Sequence, residues 1–293
     1  IAGGDTRGDF SRLGQTWSQP RITTITVNSS KQGSRQGIYP KDVLIFGGGY
    51  DIKLDDSTKF STGDNDGNDY LGNAIYIVDP MNGKKILSIS GKGSGADIQI
   101  QDMHFSIPSR IEFLDSNIDG LTDRLYVGDL GGQVWRVDIA EVVQLDKPNS
   151  KTIGNKTVVG LLAQISGNAT ADRRRFFEPP SIVQVSDELF ADEPEYDYVL
   201  LGSGNRPNPL EETVKDRFYA FRDREIDANA LVDTTGNHVA DDDYPDTTSS
   251  PYSHADSTSL VNVTQKGMAE QAKVDESLIK NSNGWFIDYA EAN

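Results

Sequence analysis

Three times along the chain, a proline opens a short strand pattern, an apolar run then ends in glycine, and a third run ends in aspartate. The prolines are Pro20, Pro108 and Pro179, leading into Arg21-Ile22, Ser109-Arg110-Ile111 and Pro180-Ser181-Ile182. The glycine-ended runs are Val43-Leu44-Ile45-Phe46-Gly47, Leu125-Tyr126-Val127-Gly128 and Val199-Leu200-Leu201-Gly202. The third runs are Ala74-Ile75-Tyr76-Ile77-Val78-Asp79, Gln133-Val134-Trp135-Arg136-Val137-Asp138 and Arg217-Phe218-Tyr219-Ala220-Phe221-Arg222-Asp223. A fourth apolar run follows in the first two units, around Ile86-Leu87 and Val158-Val159. A unit of four antiparallel strands, repeated with loop insertions, is the signature of β-propeller blades. Blades bury their faces against their neighbours, so three alone leave open edges. The expected fold is all-β, a partial or modified β-propeller with a loop and helix insert.

The units span about 14–100, 101–170 and 171–232. Residues 233–265, with Asp241-Asp242-Asp243 and Thr247-Thr248-Ser249-Ser250, are polar and lack a core pattern, so they read as a flexible insert. Residues 266–280 fit a short surface helix. Gly284-Trp285-Phe286-Ile287-Asp288-Tyr289 reads as the start of a further blade over 284–293. The chain is thus expected to be one propeller portion, a processed product or a fragment, whose other blades lie outside it.

Composition narrows the function. A net charge of −17 argues against nucleic-acid partners, because phosphate contacts need clustered Lys and Arg. There is no cysteine, hence no disulfide, thiolate metal site or Cys nucleophile. No apolar run is long enough for a membrane span. The Arg173-Arg174-Arg175 run reads as a solvated or ion-paired edge.

One stretch carries chemistry: Asp115-Ser116-Asn117-Ile118-Asp119-Gly120-Leu121-Thr122-Asp123. Side-chain oxygens at positions 1, 3, 5 and 9, with glycine at 6, open a calcium loop. Calcium takes six to eight oxygen ligands, so a tight loop must offer carboxylates at alternate positions. Gly120 stands where the backbone turns sharply. Leu121 at position 7 supplies its carbonyl. The bidentate Glu that closes an EF-hand at position 12 is replaced by Tyr126, so Asp123 must close the shell. Strand patterns flank the loop, where an EF-hand has helices. Asp64-Asn65-Asp66-Gly67-Asn68-Asp69 is also acidic, but its glycine falls at position 4 and it reads as a solvated loop.

Together with Trp17-Ser18-Gln19-Pro20-Arg21, Arg174-Arg175-Phe176-Phe177-Glu178-Pro179-Pro180 and Leu201-Gly202-Ser203-Gly204-Asn205-Arg206, these strings resemble the PilY/PilC family. That family comprises the type IV pilus tip-associated adhesion and biogenesis factors of Gram-negative bacteria. The resemblance covers residues ~14 to ~223 and resumes at Trp285. It implies a modified β-propeller with one nine-residue Ca²⁺ loop, mapping onto Asp115, Asn117, Asp119, the Leu121 carbonyl and Asp123. It also implies that calcium is tied to the balance of pilus extension and retraction, and so to twitching motility and attachment. Implied partners are minor pilins at the pilus tip, on the cell surface beyond the outer membrane. The resemblance further implies that the family's variable adhesive N-terminal half is expected outside these residues.

Arg7-Gly8-Asp9 spells the integrin-binding tripeptide and is a candidate host-receptor motif, beside the plainer reading of a turn near a chain end. No Ser-His-Asp set is suggested, and Gly202-Ser203-Gly204 lacks the outer glycines of a nucleophile elbow. The expectation is a non-enzyme. A quinoprotein-like propeller enzyme would need a cofactor set that the sequence does not display. A calcium-stapled propeller that binds a carbohydrate or host receptor would use exposed tryptophan, whereas Trp17, Trp135 and Trp285 read as blade core.

Overall fold

β-Strands form where the repeat predicts them, because period-two apolar runs bounded by glycine and proline leave few other ways to bury both faces. The computed structural model describes residues 10–29, 35–55, 71–139, 142–144, 157–167, 169–186, 195–224, 255–256, 259–264, 279 and 281–289. In chain order the strands are β1 (Arg21–Ser29), β2 (Gly37–Gly47), β3 (Ala74–Val78), β4 (Lys85–Gly91), β5 (Ile98–Ile100), β6 (Glu112–Leu114), β7 (Arg124–Gly128) and β8 (Gln133–Ile139). They continue as β9 (Val142–Gln144), β10 (Thr157–Gln164), β11 (Ser181–Ser186), β12 (Glu195–Gly202), β13 (Arg217–Asp223), β14 (Ala255–Asp256), β15 (Val261–Asn262) and β16 (Gly284–Asp288). Among the described residues no helix is long and apolar enough to cross a membrane.

The strands make three sheets, each built on a four-stranded antiparallel meander, the blade unit of a β-propeller. Blade 1 is β1-β2-β3-β4, blade 2 is β6-β7-β8-β10, and blade 3 is β11-β12-β13-β16. Short parallel strands extend the sheets: β5 and β9 in blade 1, β14 in blade 2, and β15 in blade 3.

Three expectations change at the ends of these units. The Trp285 strand opens no further blade. β16 pairs antiparallel with β13, Phe218 opposite Ile287, and completes blade 3. Within the stretch read as a flexible insert, β14 joins β10 and β15 joins β16. β9, placed by sequence in the second unit, pairs with β1 of the first. Each change is a long-range backbone pairing that satisfies an edge, which local patterning does not register. The helix expected over 266–280 falls almost wholly outside the described residues.

Blade 2 is sandwiched, and its sequence shows why. Successive residues of a strand point to opposite faces. Leu125, Val127, Trp135, Val137 and Ile139 join one apolar cluster with Ile25, Val43, Ile45, Ile75 and Ile77 of blade 1. Tyr126 and Val134 face the other way, clustering with Val199, Leu201, Tyr219, Phe221 and Phe286 of blade 3. β7 and β8 are therefore buried along their whole length. Each large apolar side chain so buried contributes roughly 1.5–3 kcal/mol of transfer free energy.

The face of blade 2 toward blade 3 also holds charge. Arg124 donates from Nε to Asp138 and from Nη1 to Asp197, both at 2.8 Å. Arg136 donates to Asp138 and to both oxygens of Asp223, each at 2.8 Å. The Tyr126 hydroxyl donates to Asp223 at 2.6 Å. All six side chains are buried. Burial pushes the Asp197 carboxyl above its ordinary range, against the pull of Arg124.

Packing decides two further readings. Of the solvated or ion-paired edge read at Arg173-Arg174-Arg175, the ion-paired alternative holds: Arg174 and Arg175 are buried, with Arg174 3.8 Å from Asp172. Arg174 donates to the Lys215 carbonyl at 3.0 Å, and Arg175 donates to the Leu54 carbonyl at 2.7 Å and lies 3.6 Å from Asp55. Trp17 is not blade core. It is 42% exposed, with its ring stacked 4.4 Å from Tyr50. Trp135 is core, and Trp285 is partly buried.

Candidate metal centre

The loop Asp115–Asp123 joins β6 to β7, the first two strands of blade 2. The strand register sets its mouth: Leu114 pairs with Arg124, and the Asp123 N–H donates to the Leu114 carbonyl at 3.0 Å. Nine residues must then turn back within that width. Gly120 takes φ +87°, with open space where a Cβ would stand. Ile118 takes φ +60°, a left-handed conformation that is costly for a β-branched residue, and its side chain projects into solvent. Strain of this kind persists where the surrounding structure over-determines the backbone.

The overdetermination comes from the acidic side chains. Asp115 accepts from the Asp119 N–H at 3.1 Å through Oδ1 and from the Gly120 N–H at 2.8 Å through Oδ2. Asn117 Oδ1 accepts from the Asp119 N–H at 2.9 Å, and Asp119 Oδ1 accepts from the Leu121 N–H at 2.8 Å. Asp123 Oδ2 accepts from the N–H and the hydroxyl of Ser116, both at 2.9 Å. Short polar side chains thus supply the acceptors that the tight backbone lacks.

The five predicted ligand residues are brought into one loop, but their carboxylates do not converge on one centre. Among the described residues, no group of three or more His, Cys, Asp or Glu side chains is placed to hold a metal ion. Each carboxylate instead faces an N–H or hydroxyl of its own loop. The donor chemistry still suits calcium. Every candidate ligand atom is oxygen, and the hydrogen bonds described leave Oδ2 of Asp119 and Oδ1 of Asp123 uncommitted. Asp119 and Asn117 are exposed, while Asp115 and Asp123 are partly buried at the strand ends, so the loop is open on its outer side.

The sequence pattern missed the residues that anchor this loop to the rest of the molecule. Thr122 is buried, and its hydroxyl lies 2.6 Å from that of Thr23 on β1, while its N–H donates to the Thr24 carbonyl at 2.8 Å. No local signal marks these threonines, because the partners lie 99 residues apart in the chain. Arg7-Gly8-Asp9 and Asp64–Asp69 lie outside the described residues.

No protein-family model matches the chain, and no curated protein matches it. Among solved structures, the crystal structure of the Pseudomonas aeruginosa PilY1 C-terminal domain is similar at 17% sequence identity and a TM-score of 0.49. The alignment covers 95% of this chain and 51% of that one, so the chain spans about half the length of that domain.

Proposed function

We propose that this chain is a calcium-binding, non-enzymatic portion of a β-propeller in a type IV pilus tip-associated protein. In this reading the ion at Asp115–Asp123 biases pilus extension against retraction, and with it twitching motility and attachment. The partners are minor pilins at the pilus tip, and the location is the cell surface beyond the outer membrane. The pilus assignment rests on the sequence strings that resemble the PilY/PilC family.

The single observation that supports the calcium role is the strained, all-oxygen loop set between β6 and β7. Asp115, Asn117, Asp119, the Leu121 carbonyl and Asp123 would hold the ion. Three carboxylates within nine residues repel one another, and a divalent cation offsets that repulsion. A ligand that binds only the ordered loop stabilises it by about 2.7 kcal/mol at a hundredfold excess over Kd.

Calorimetric titration of CaCl₂ into the full chain tests this. Binding is expected in the micromolar-to-millimolar range of sensor and extracellular sites. Asp119→Ala should weaken it about tenfold or more with the fold retained, since its carboxylate accepts one described hydrogen bond, from Leu121. Equal affinity in the two proteins, or no binding heat in either, sinks the assignment. The pilus role is read in the parent bacterium: the same substitution in the full-length protein should change the twitching zone, and unchanged zones would overturn it.

One observation favours a second reading, a calcium-stapled propeller that binds carbohydrate or a host receptor. Trp17 presents an exposed ring backed by Tyr50, with Arg206 over it at 5.8 Å. Calcium-dependent retention on a glycan array separates the two readings.

A further inference from the structure

We infer that Thr122, Asp123 and Arg124 form a junction that carries the order of the loop to both neighbouring blades, so that Ca²⁺ bound at the loop braces all three blades together. The inference rests on the calcium reading of the loop and adds what the ion does once bound.

Three consecutive residues have three separate attachments. Thr122 reaches blade 1, through its N–H to the Thr24 carbonyl at 2.8 Å and its hydroxyl to Thr23 at 2.6 Å. Asp123 belongs to the loop through Ser116, and its carbonyl accepts from the Ile139 N–H of β8 at 2.6 Å. Arg124 reaches blade 3 through Asp197 at 2.8 Å and stays tied to blade 2 through Asp138. The chain is fully buried at Arg124 and nearly so at Thr122, which is 6% exposed. A shift at Asp123 therefore cannot be absorbed by loose side chains on either side, since packed interiors transmit displacement.

The consequence is thermodynamic. If opening the Thr24 or Ile139 contact requires the loop to let go of its ion, those contacts gain the ion's binding free energy. By reciprocity, weakening the contacts weakens binding by the same factor. Thr23 and Thr122 are then positioning residues for the loop, although neither is a ligand.

Hydrogen exchange and calorimetry on the full chain, with CaCl₂ as the probe and MgCl₂ as control, test the junction. At free calcium one hundred times Kd, exchange at the amides of Gly120 and Leu121 should slow by up to about a hundredfold. The inference requires comparable slowing at the amides of Thr122 and Ile139 and in β12 around Asp197. Thr23→Val with Thr122→Val should raise the calcium Kd about two- to tenfold, the worth of one lost hydrogen bond, and Thr122→Ser alone should leave it within about twofold. Slowing confined to the loop amides, with unchanged Kd in the double variant, overturns the junction while the calcium site stands. If the double variant does not fold, the wild-type exchange pattern alone decides between these outcomes. Absence of any calcium response in the wild type overturns the junction and the calcium reading together.

Discussion

Asp129 shows what one buried carboxylate does for a blade. It is fully buried at the turn between β7 and β8. Its oxygens accept from the N–H groups of Gly131 at 2.8 Å and Gln133 at 3.0 Å and from Trp135 Nε1 at 2.9 Å. Burial raises its pKa from the ordinary 3.8 to about 7, and the three donors oppose that rise. An acid whose folded pKa exceeds its unfolded one binds its proton more tightly when folded. Its contribution to stability is therefore greatest at low pH and declines as pH rises from about 4 to 7. Between pH 5 and pH 8 the melting temperature should fall, and Asp129→Asn should flatten that slope. The variant should also melt lower throughout, because its amide cannot accept from all three donors. Scanning calorimetry at the two pH values checks this, and a slope unchanged in the variant excludes Asp129 as its source.

At the scale of the element, β16 illustrates how a strand reports its own orientation but not its partner. Its residues alternate, with Phe286 buried among Tyr219 and the blade 2–blade 3 cluster and Ile287 39% exposed on the opposite face. Phe286→Ala should cost about 3 kcal/mol through lost transfer energy and the cavity left behind. Ile287→Ala should cost under about 1 kcal/mol. Urea unfolding of the two variants measures the difference. Similar costs at both positions would mean that β16 does not close blade 3 in the register of Phe218 with Ile287.

For the whole molecule, the decisive feature is the charged seam between blades 2 and 3. Two arginines and three aspartates with Tyr126 share the blade 2 face toward blade 3 with the second apolar cluster. Such a network adds little net stability over an apolar interface, but breaking it leaves uncompensated buried charge. Arg136→Ala should therefore cost about 3–5 kcal/mol, since Asp138 and Asp223 both lose a charged donor. Denaturant unfolding measures it, and a cost under about 1 kcal/mol would show that water reaches the seam. The seam also ties blade 2 to blade 3, because Arg124 and Arg136 of blade 2 find acids on β12 and β13 of blade 3.

By itself the sequence determined the main antiparallel strands of the blades and the loop, though not the short parallel strands β5, β9, β14 and β15. Val43–Gly47, Leu125–Gly128 and Val199–Gly202 become the second strands of the three blades because alternation and terminal glycine are properties of neighbouring residues. The nine-residue loop was legible for the same reason: its ligand candidates and its turn glycine are contiguous. The tertiary structure alone decided which strand closes blade 3, why Arg174 and Arg175 are buried, why Trp17 is exposed, and how Thr122 anchors the loop to β1. It also decided where the carboxylates point, each toward an N–H or hydroxyl of the loop. These outcomes depend on partners distant in the chain or on three-dimensional convergence, and neither leaves a periodic trace in local sequence.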